Sequence, residues 1–267
     1  MTIALATRYF CLPLLVCQSM VSTSQLSHAG PPAIVMAAIS LETSFVTQHE
    51  PVLLELALNN QSEQEIVVSL GDNDEKINIK VIDPDGRIFL KPRSIRQGFA
   101  ASDAVYVAAG RTAVRSVALT DWFNFDEIGT YQIEVNLSSS SSAKERFSYT
   151  IQGNRTLLSL RVLPYDEGSL VAACADLLNR IQDLHSHRGS AAAAKALSKI
   201  NDAAAVPFLA AAMKENEFKS LMIDALARLK TQDAVEALVA ATRSDDPETR
   251  NLAHAALAGI GMGDKGK

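Results

Sequence analysis

The stretch from Ala194 to Gly261 repeats itself, and this constrains the architecture more tightly than any compositional figure. Ala196-Leu197 recurs as Ala225-Leu226 and again as Ala256-Leu257, Ile200 recurs as Leu229 and Ile260, and Val206 with Leu209 recurs as Val235 with Leu238. The offsets are 29 and 31 residues. A period of about 30 residues with two apolar helical stripes per unit predicts helical hairpins stacked side by side, because each hairpin can bury its stripe only against its neighbours.

The chain has 267 residues, 48% of them apolar, enough for two ordinary domains with a core each. Its formal charge is −5, and from Asp166 onward 12 Lys/Arg stand against 14 Asp/Glu. That balance repels a phosphate backbone, so nucleic acid is not an expected partner. Of three cysteines, Cys11 and Cys17 lie in the first thirty residues. Loss of that segment leaves Cys174 with no disulfide partner in the chain.

Residues 1–29 have the layout of an export signal: Arg8 supplies the basic start, Tyr9 to Cys17 an apolar run broken by Pro13, and Ser27-His28-Ala29 the small residues before cleavage between Ala29 and Gly30. The run is too short to span a bilayer, and no transmembrane segment is expected after its removal. A lipoprotein box at Leu14 to Cys17, with Val16 where a small residue belongs, and an uncleaved anchor are the rival readings. In each case the protein is expected in the periplasm, the cell envelope or the exterior.

From residue 33 to 165 the period is two. Val52, Leu54, Leu56 and Leu58 alternate with Leu53, Glu55, Ala57 and Asn59, and Ile77, Ile79 and Val81 alternate with Asn78 and Lys80. Asn59 to Ser62 and Asp83-Pro84-Asp85-Gly86 punctuate these runs as turns, and Arg155 to Val162 reads as the last strand. Short strands without helical patterns between them predict an antiparallel sandwich or barrel. Asn60, Asn136 and Asn154 open Asn-x-Ser/Thr sequons.

The segment Asp126-Glu127-Ile128-Gly129-Thr130-Tyr131 resembles the tyrosine corner of immunoglobulin-like sandwiches, in which the Tyr hydroxyl turns back to the backbone upstream. Gly129 and Tyr131 are the structural residues that this resemblance implies. Trp122, just before the corner, is expected to plug the core or its edge under the loop.

Residues 166–263 switch to helical spacing. Leu170, Cys174, Leu177, Leu178, Ile181 and Leu184 mark a first helix capped by Asp166 or Ser169, which is expected to close one end of the array. Cys174 sits mid-stripe and is expected to be a buried structural thiol. Gly189-Ser190 reads as the end of this arm. Ala225 to Leu229 running into Ala234 to Leu238, and Asp245-Asp246-Pro247-Glu248-Thr249-Arg250 running into Ala255-Ala256-Leu257, resemble HEAT-like repeats of the short kind. The resemblance implies a short α-solenoid whose second helices line a concave surface. Both faces of those second helices are apolar, which predicts a covered face. Docking of the sandwich or close helix packing would cover it; so would a protein partner, with Phe208 as anchor and Ala212, Ala237 and Ala241 around it.

No Gly-rich phosphate loop, HExxH or Gly-x-Ser-x-Gly motif occurs. His185 and His187, two apart on a helix, diverge and lack a carboxylate cluster, so no metal, cofactor or catalytic residue is assigned. The expectation is an immunoglobulin-like antiparallel β-sandwich followed by a short HEAT-like α-helical solenoid, acting as a non-enzymatic protein-binding or scaffolding protein through the concave face or the sandwich loops. A structural envelope protein with the two domains docked is the alternative. A metal-dependent enzyme using His185, His187 and His254 comes third.

Overall fold

The computed structural model describes residues 33–70, 76–92, 104–138, 149–183, 187–215 and 217–263. Their strands are β1 (Ala33–Leu41), β2 (Phe45–Thr47), β3 (Leu53–Asn60), β4 (Ile66–Ser69), β5 (Ile77–Ile82), β6 (Ile88–Leu90), β7 (Ala104–Val107), β8 (Thr112–Ala118), β9 (Gly129–Leu137), β10 (Tyr149–Gln152) and β11 (Arg155–Leu163). The helices are α1 (Glu167–Gln182), α2 (His187–Lys199), α3 (Val206–Ala212), α4 (Lys219–Leu229), α5 (Gln232–Ala241) and α6 (Pro247–Gly263). The expected signal segment, with Ala29 and Gly30, lies outside the described residues.

The strands follow the alternation that the sequence carries. Leu54, Leu56 and Leu58 of β3, Ile77, Ile79 and Val81 of β5, and Tyr131, Ile133 and Val135 of β9 are all buried in one apolar cluster. Three sheets contribute to it, ordered β10-β1-β3-β8, β2-β11-β9-β5-β6 and the two-stranded β4-β7.

The expectation of purely antiparallel sheets does not hold. β1 pairs with β10 in parallel, and so does β2 with β11. The first strand run breaks at residues 42–44 and changes sheet; the last run does the same at Gly153, between β10 and β11. The opening and closing strands therefore lie side by side in both larger sheets, running in the same direction. Gly153 has φ +73°, and a Cβ there would stand 2.5 Å from the Ala37 carbonyl oxygen. No other residue fits that crossing.

Asn60 is the polar pin of this region and is fully buried, at 0% exposure. Its Nδ2 donates to the carbonyls of Gln64 (2.7 Å), Val107 (3.0 Å) and Ala108 (3.3 Å), and its Oδ1 accepts from the Ser62 amide and hydroxyl. One amide thus ties the end of β3 to the turn after it and to the end of β7. The sequon at Asn60 is closed to an attached glycan, whereas Asn154 is exposed.

Local caps account for the helix starts. Asp166 accepts from the Ser169 amide (2.9 Å), Asp202 from the Ala204 amide (2.9 Å) ahead of α3, Thr231 from the Ala234 amide (3.3 Å), and Asp246 from the Thr249 amide (3.1 Å). Asp246 also binds Lys219 Nζ (2.7 Å), which Glu248 shares at 2.9 Å, so the buried Lys219 at the start of α4 anchors the start of α6. The hydrogen bonds from Lys219 and then Thr249 hold the Asp246 carboxyl well below the usual carboxylate range. Arg228 of α4 donates to the Ser198 carbonyl near the end of α2. Gly189 and Ser190 do not end a helix: they lie inside α2, where Ser190 is buried beside the following alanines. Tertiary burial outweighs the low helix propensity of that pair.

Residues 32–267 cluster as one compact unit, so the boundary at 165/166 divides types of structure rather than bodies. α2 packs on β8, and Leu53 and Ala118, from the outer face of the four-stranded sheet, belong to the helical core. Ion pairs flank this seam, Arg180 with Glu42 (2.7 Å) and Lys199 with Asp121 (3.1 Å). In that core the Cys174 thiol is fully buried, and burial, then the charges of Asp202 and Glu50, push its pKa up to about 12. In protein beginning at Gly30, where it is the single thiol, Cys174 is expected to resist Ellman's reagent at pH 8 until denaturant is added. Native labelling at the rate of a small free thiol would contradict this.

Candidate functional site

The Asp83-Pro84-Asp85-Gly86 turn places β6 at the edge of the five-stranded sheet. Asp83 is buried and accepts from the amides of Asp85 (3.0 Å) and Arg87 (2.8 Å) and from Arg87 Nε (2.5 Å). Burial alone would raise its pKa, but the Arg87 amide and guanidinium outweigh that and hold the carboxyl below its ordinary value. Arg87 also binds Glu127, whose own amide donates to the Tyr131 hydroxyl at 3.0 Å. Gly129 between them has φ +144°, and a Cβ there would come within 2.8 Å of Pro84. Turn and corner therefore lock each other.

The lock leaves a cleft of about 560 Å³ between β6 and the 122–127 loop. Trp122 and Phe89 form much of its apolar wall, and Asp83, Asp126 and Glu127 outnumber Arg87 on its polar side. Lys91 stands over the Trp122 ring, 4.2 Å from its centroid. Next to the cleft, three consecutive large apolar side chains face solvent: Ile88 is 59%, Phe89 44% and Leu90 70% exposed. Such a run is unusual on a folded surface unless something covers it.

A smaller polar cavity of about 150 Å³ lies at the seam, lined by His49, Glu50, Thr120, Lys199 and Asn201 among others. His49 adopts φ +72° and packs edge-on against Tyr165, with ring centroids 5.6 Å apart. Among the described residues, the buried Thr120 hydroxyl there has no hydrogen-bond partner.

Gly129 and Tyr131 lie on β9, where the Tyr131 hydroxyl accepts from the Glu127 amide, and Trp122 packs partly buried against the β core. The partner-binding candidates on the helices fare differently. Ala212 is 0% and Ala241 5% exposed, both inside the helical core, so neither is available to a partner. Phe208 and Ala237 are partly buried against the same core. α1, α2, α4 and α5 all pack on α3, and α3, α4 and α6 pack on α5. These neighbours account for the apolar character of both helices. β6 was not singled out from the sequence, although Ile88-Phe89-Leu90 breaks the alternation expected of a half-buried strand, and that was its signal.

Among the described residues, no three His, Cys, Asp or Glu side chains converge as a metal-binding group, and no helix is long and apolar enough to cross a membrane. His185 lies outside the described residues, and His254 is exposed on α6.

Residues 191–215, from α2 through the turn after α3, match the PBS lyase HEAT-like repeat model. The helical part thus carries a repeat of that kind. Among solved structures, a β-glucosidase from Listeria innocua bound to isofagomine is 16% identical over 50% of this chain, with a TM-score of 0.30. A β-glucosidase from Erythrobacter marinus is 10% identical over 49% of this chain, with a TM-score of 0.31. The chain spans 16% of the length of each of these two. The CARDB domain of a Pyrococcus furiosus protein, in complex with di-metal ions, is 12% identical over 51% of this chain and 96% of its own, with a TM-score of 0.28. No curated protein matches the chain.

Proposed function

We infer that this chain is an exported, non-enzymatic binding protein that meets a protein partner at the β6 cleft, with the helices as a rigid mount behind it. The observation that carries this reading is the exposed Ile88-Phe89-Leu90 run beside a 560 Å³ cleft, set against a helical face already packed on itself. The β part is read as an immunoglobulin-like sandwich, supported by the Glu127-Tyr131 corner bond and by the pairing of first and last strands in both larger sheets. The helical part is read as a short HEAT-like solenoid, supported by the repeat match and by the packing of α2, α4 and α6 in one row with α3 and α5 in another. Export rests on the signal-like pattern of residues 1–29. The seam through Leu53 and Ala118 favours a second reading, a structural envelope protein in which the two halves simply brace each other.

A photo-crosslinking side chain at Leu90, and separately at Pro207 on the exposed side of α3, discriminates these in the cells that make the protein. The expected result is a protein adduct at Leu90 and none at Pro207, on a chain that begins at Gly30. An adduct at Pro207 alone moves the binding surface to the helices. Adducts at neither position leave the bracing role, and a chain that retains Met1 refutes cleavage of the export signal.

A further inference from the structure

The cleft reading leaves open what kind of partner chemistry fits, and the backbone of β6 answers that. Asp83 N donates to Arg87 O (3.0 Å), Lys91 N donates to Ile79 O (2.9 Å), and Val81 lies opposite Phe89. Alternation in an antiparallel ladder then turns the amides of residues 87, 89 and 91 toward β5 and those of Ile88 and Leu90 away from it. Among the described residues nothing pairs with those two outward N–H and C=O pairs. An aromatic-face ligand such as a sugar is less suited, because Lys91 already occupies one face of Trp122.

We propose that β6 accepts an extended segment of another protein as a sixth strand of its sheet, and that this segment alternates apolar with basic side chains. This deepens the binding reading given above and rests on it. Pairing at Ile88 and Leu90 supplies the backbone bonds, and strand alternation sends every second side chain of the guest into the cleft. There Asp83, Asp126 and Glu127 outnumber Arg87 and the Lys91 that stands over Trp122, and Asp126 is the exposed carboxylate among them, so a basic side chain is favoured. The remaining guest side chains lie over Ile88 and Leu90 and cover them. Pro92, at the next outward position, has no N–H and ends the pairing site.

A second copy of this chain fits less well. Pairing centred on Phe89 sets Arg87 opposite Lys91 of the other copy, two like charges on adjacent strands. Pairing centred on Leu90 sets Ile88 opposite Pro92, which cannot donate.

Trp122 is the sole tryptophan of the chain, so its fluorescence reports on the cleft directly. The probes are a heptapeptide of alternating valine and arginine, its valine-glutamate counterpart, and the arginine peptide N-methylated at every second amide. The arginine peptide is expected to shift Trp122 emission saturably, with affinity about tenfold or more above that of the other two. Leu90→Pro removes the outward-facing donor together with the Leu90 side chain, is read beside the N-methylated peptide, and is expected to weaken binding by about tenfold or more. Asp126→Asn, a gentler change on an exposed side chain, is expected to narrow the preference for arginine over glutamate. Binding that survives both N-methylation and Leu90→Pro overturns strand addition, as does absence of any saturable shift. Equal binding of the two charge types overturns the basic preference. A dimer in sedimentation that Leu90→Pro dissolves assigns the edge to a second copy. In each failing case the Leu90 crosslink still reports independently whether the cleft meets a protein at all.

Discussion

Gly153→Ala lowers the stability of residues 32–267 by about 3 kcal/mol, at the upper end of the cost of placing a side chain in left-handed backbone. The clash is with backbone, not with a flexible side chain: the new Cβ would stand 2.5 Å from the Ala37 carbonyl oxygen in β1. Relief requires either β1 or the β10–β11 crossing to move, and β1 is paired on both sides, with β10 and with β3. Urea unfolding followed by far-ultraviolet circular dichroism measures the loss as a drop in midpoint at unchanged slope. A loss below about 1 kcal/mol would show that the crossing yields easily. At Gly129, where φ is +144°, the same substitution meets the ring of Pro84 2.8 Å away and is expected to be destabilising as well.

Asn60→Ala is expected to cost about 3 kcal/mol, because buried polar groups left without partners cost on the order of 1–3 kcal/mol each. The Ser62 amide and hydroxyl lose their acceptor, and three carbonyls lose a donor. Asn60→Asp adds a pH signature. A carboxyl buried against three carbonyl oxygens has its folded-state pKa raised above the unfolded value, so the neutral form is the one the fold tolerates. Stability of this variant is therefore best below the ordinary carboxylate range and falls as pH rises through it toward the raised value. The gap to the parent protein is expected to be wider at about pH 7 than at about pH 4. Equal gaps at the two pH values would mean that the side chain swings out to water.

What could be read from the sequence divides by range. The bond from the Glu127 amide to the Tyr131 hydroxyl was within reach of the sequence because the two residues are near neighbours in the chain. The start of α1 was legible for the same reason, its Asp166 cap reaching three residues ahead. The parallel pairings were not, because Ala33 meets Tyr149 and Phe45 meets Arg161 across nearly the whole β region, and no local pattern records a partner at that distance. Asn60 looked like an ordinary turn residue, since its acceptors Val107 and Ala108 come from β7 and the turn after it. Periodicity showed that α3 is apolar all round but not what lies on each side; the contacts with α1, α4 and α5 decide that, and they bury Ala212. The β6 cleft had a sequence signal in Ile88-Phe89-Leu90, but its acidic side depends on the 122–127 loop arriving from another part of the chain.

A row of helical hairpins ordinarily needs a terminal unit with a polar outer face, since its first member would otherwise expose the apolar surface meant for a neighbour. The sheet removes that need. Leu53 and Ala118 lend the helices two side chains from a different kind of structure, so that, in the solenoid reading proposed above, α2 finds a pleated plate where a preceding hairpin would have been. With α1 lying alongside, this end plate supplies the missing neighbour interface, and so few hairpins can hold together without a dedicated capping repeat on that side.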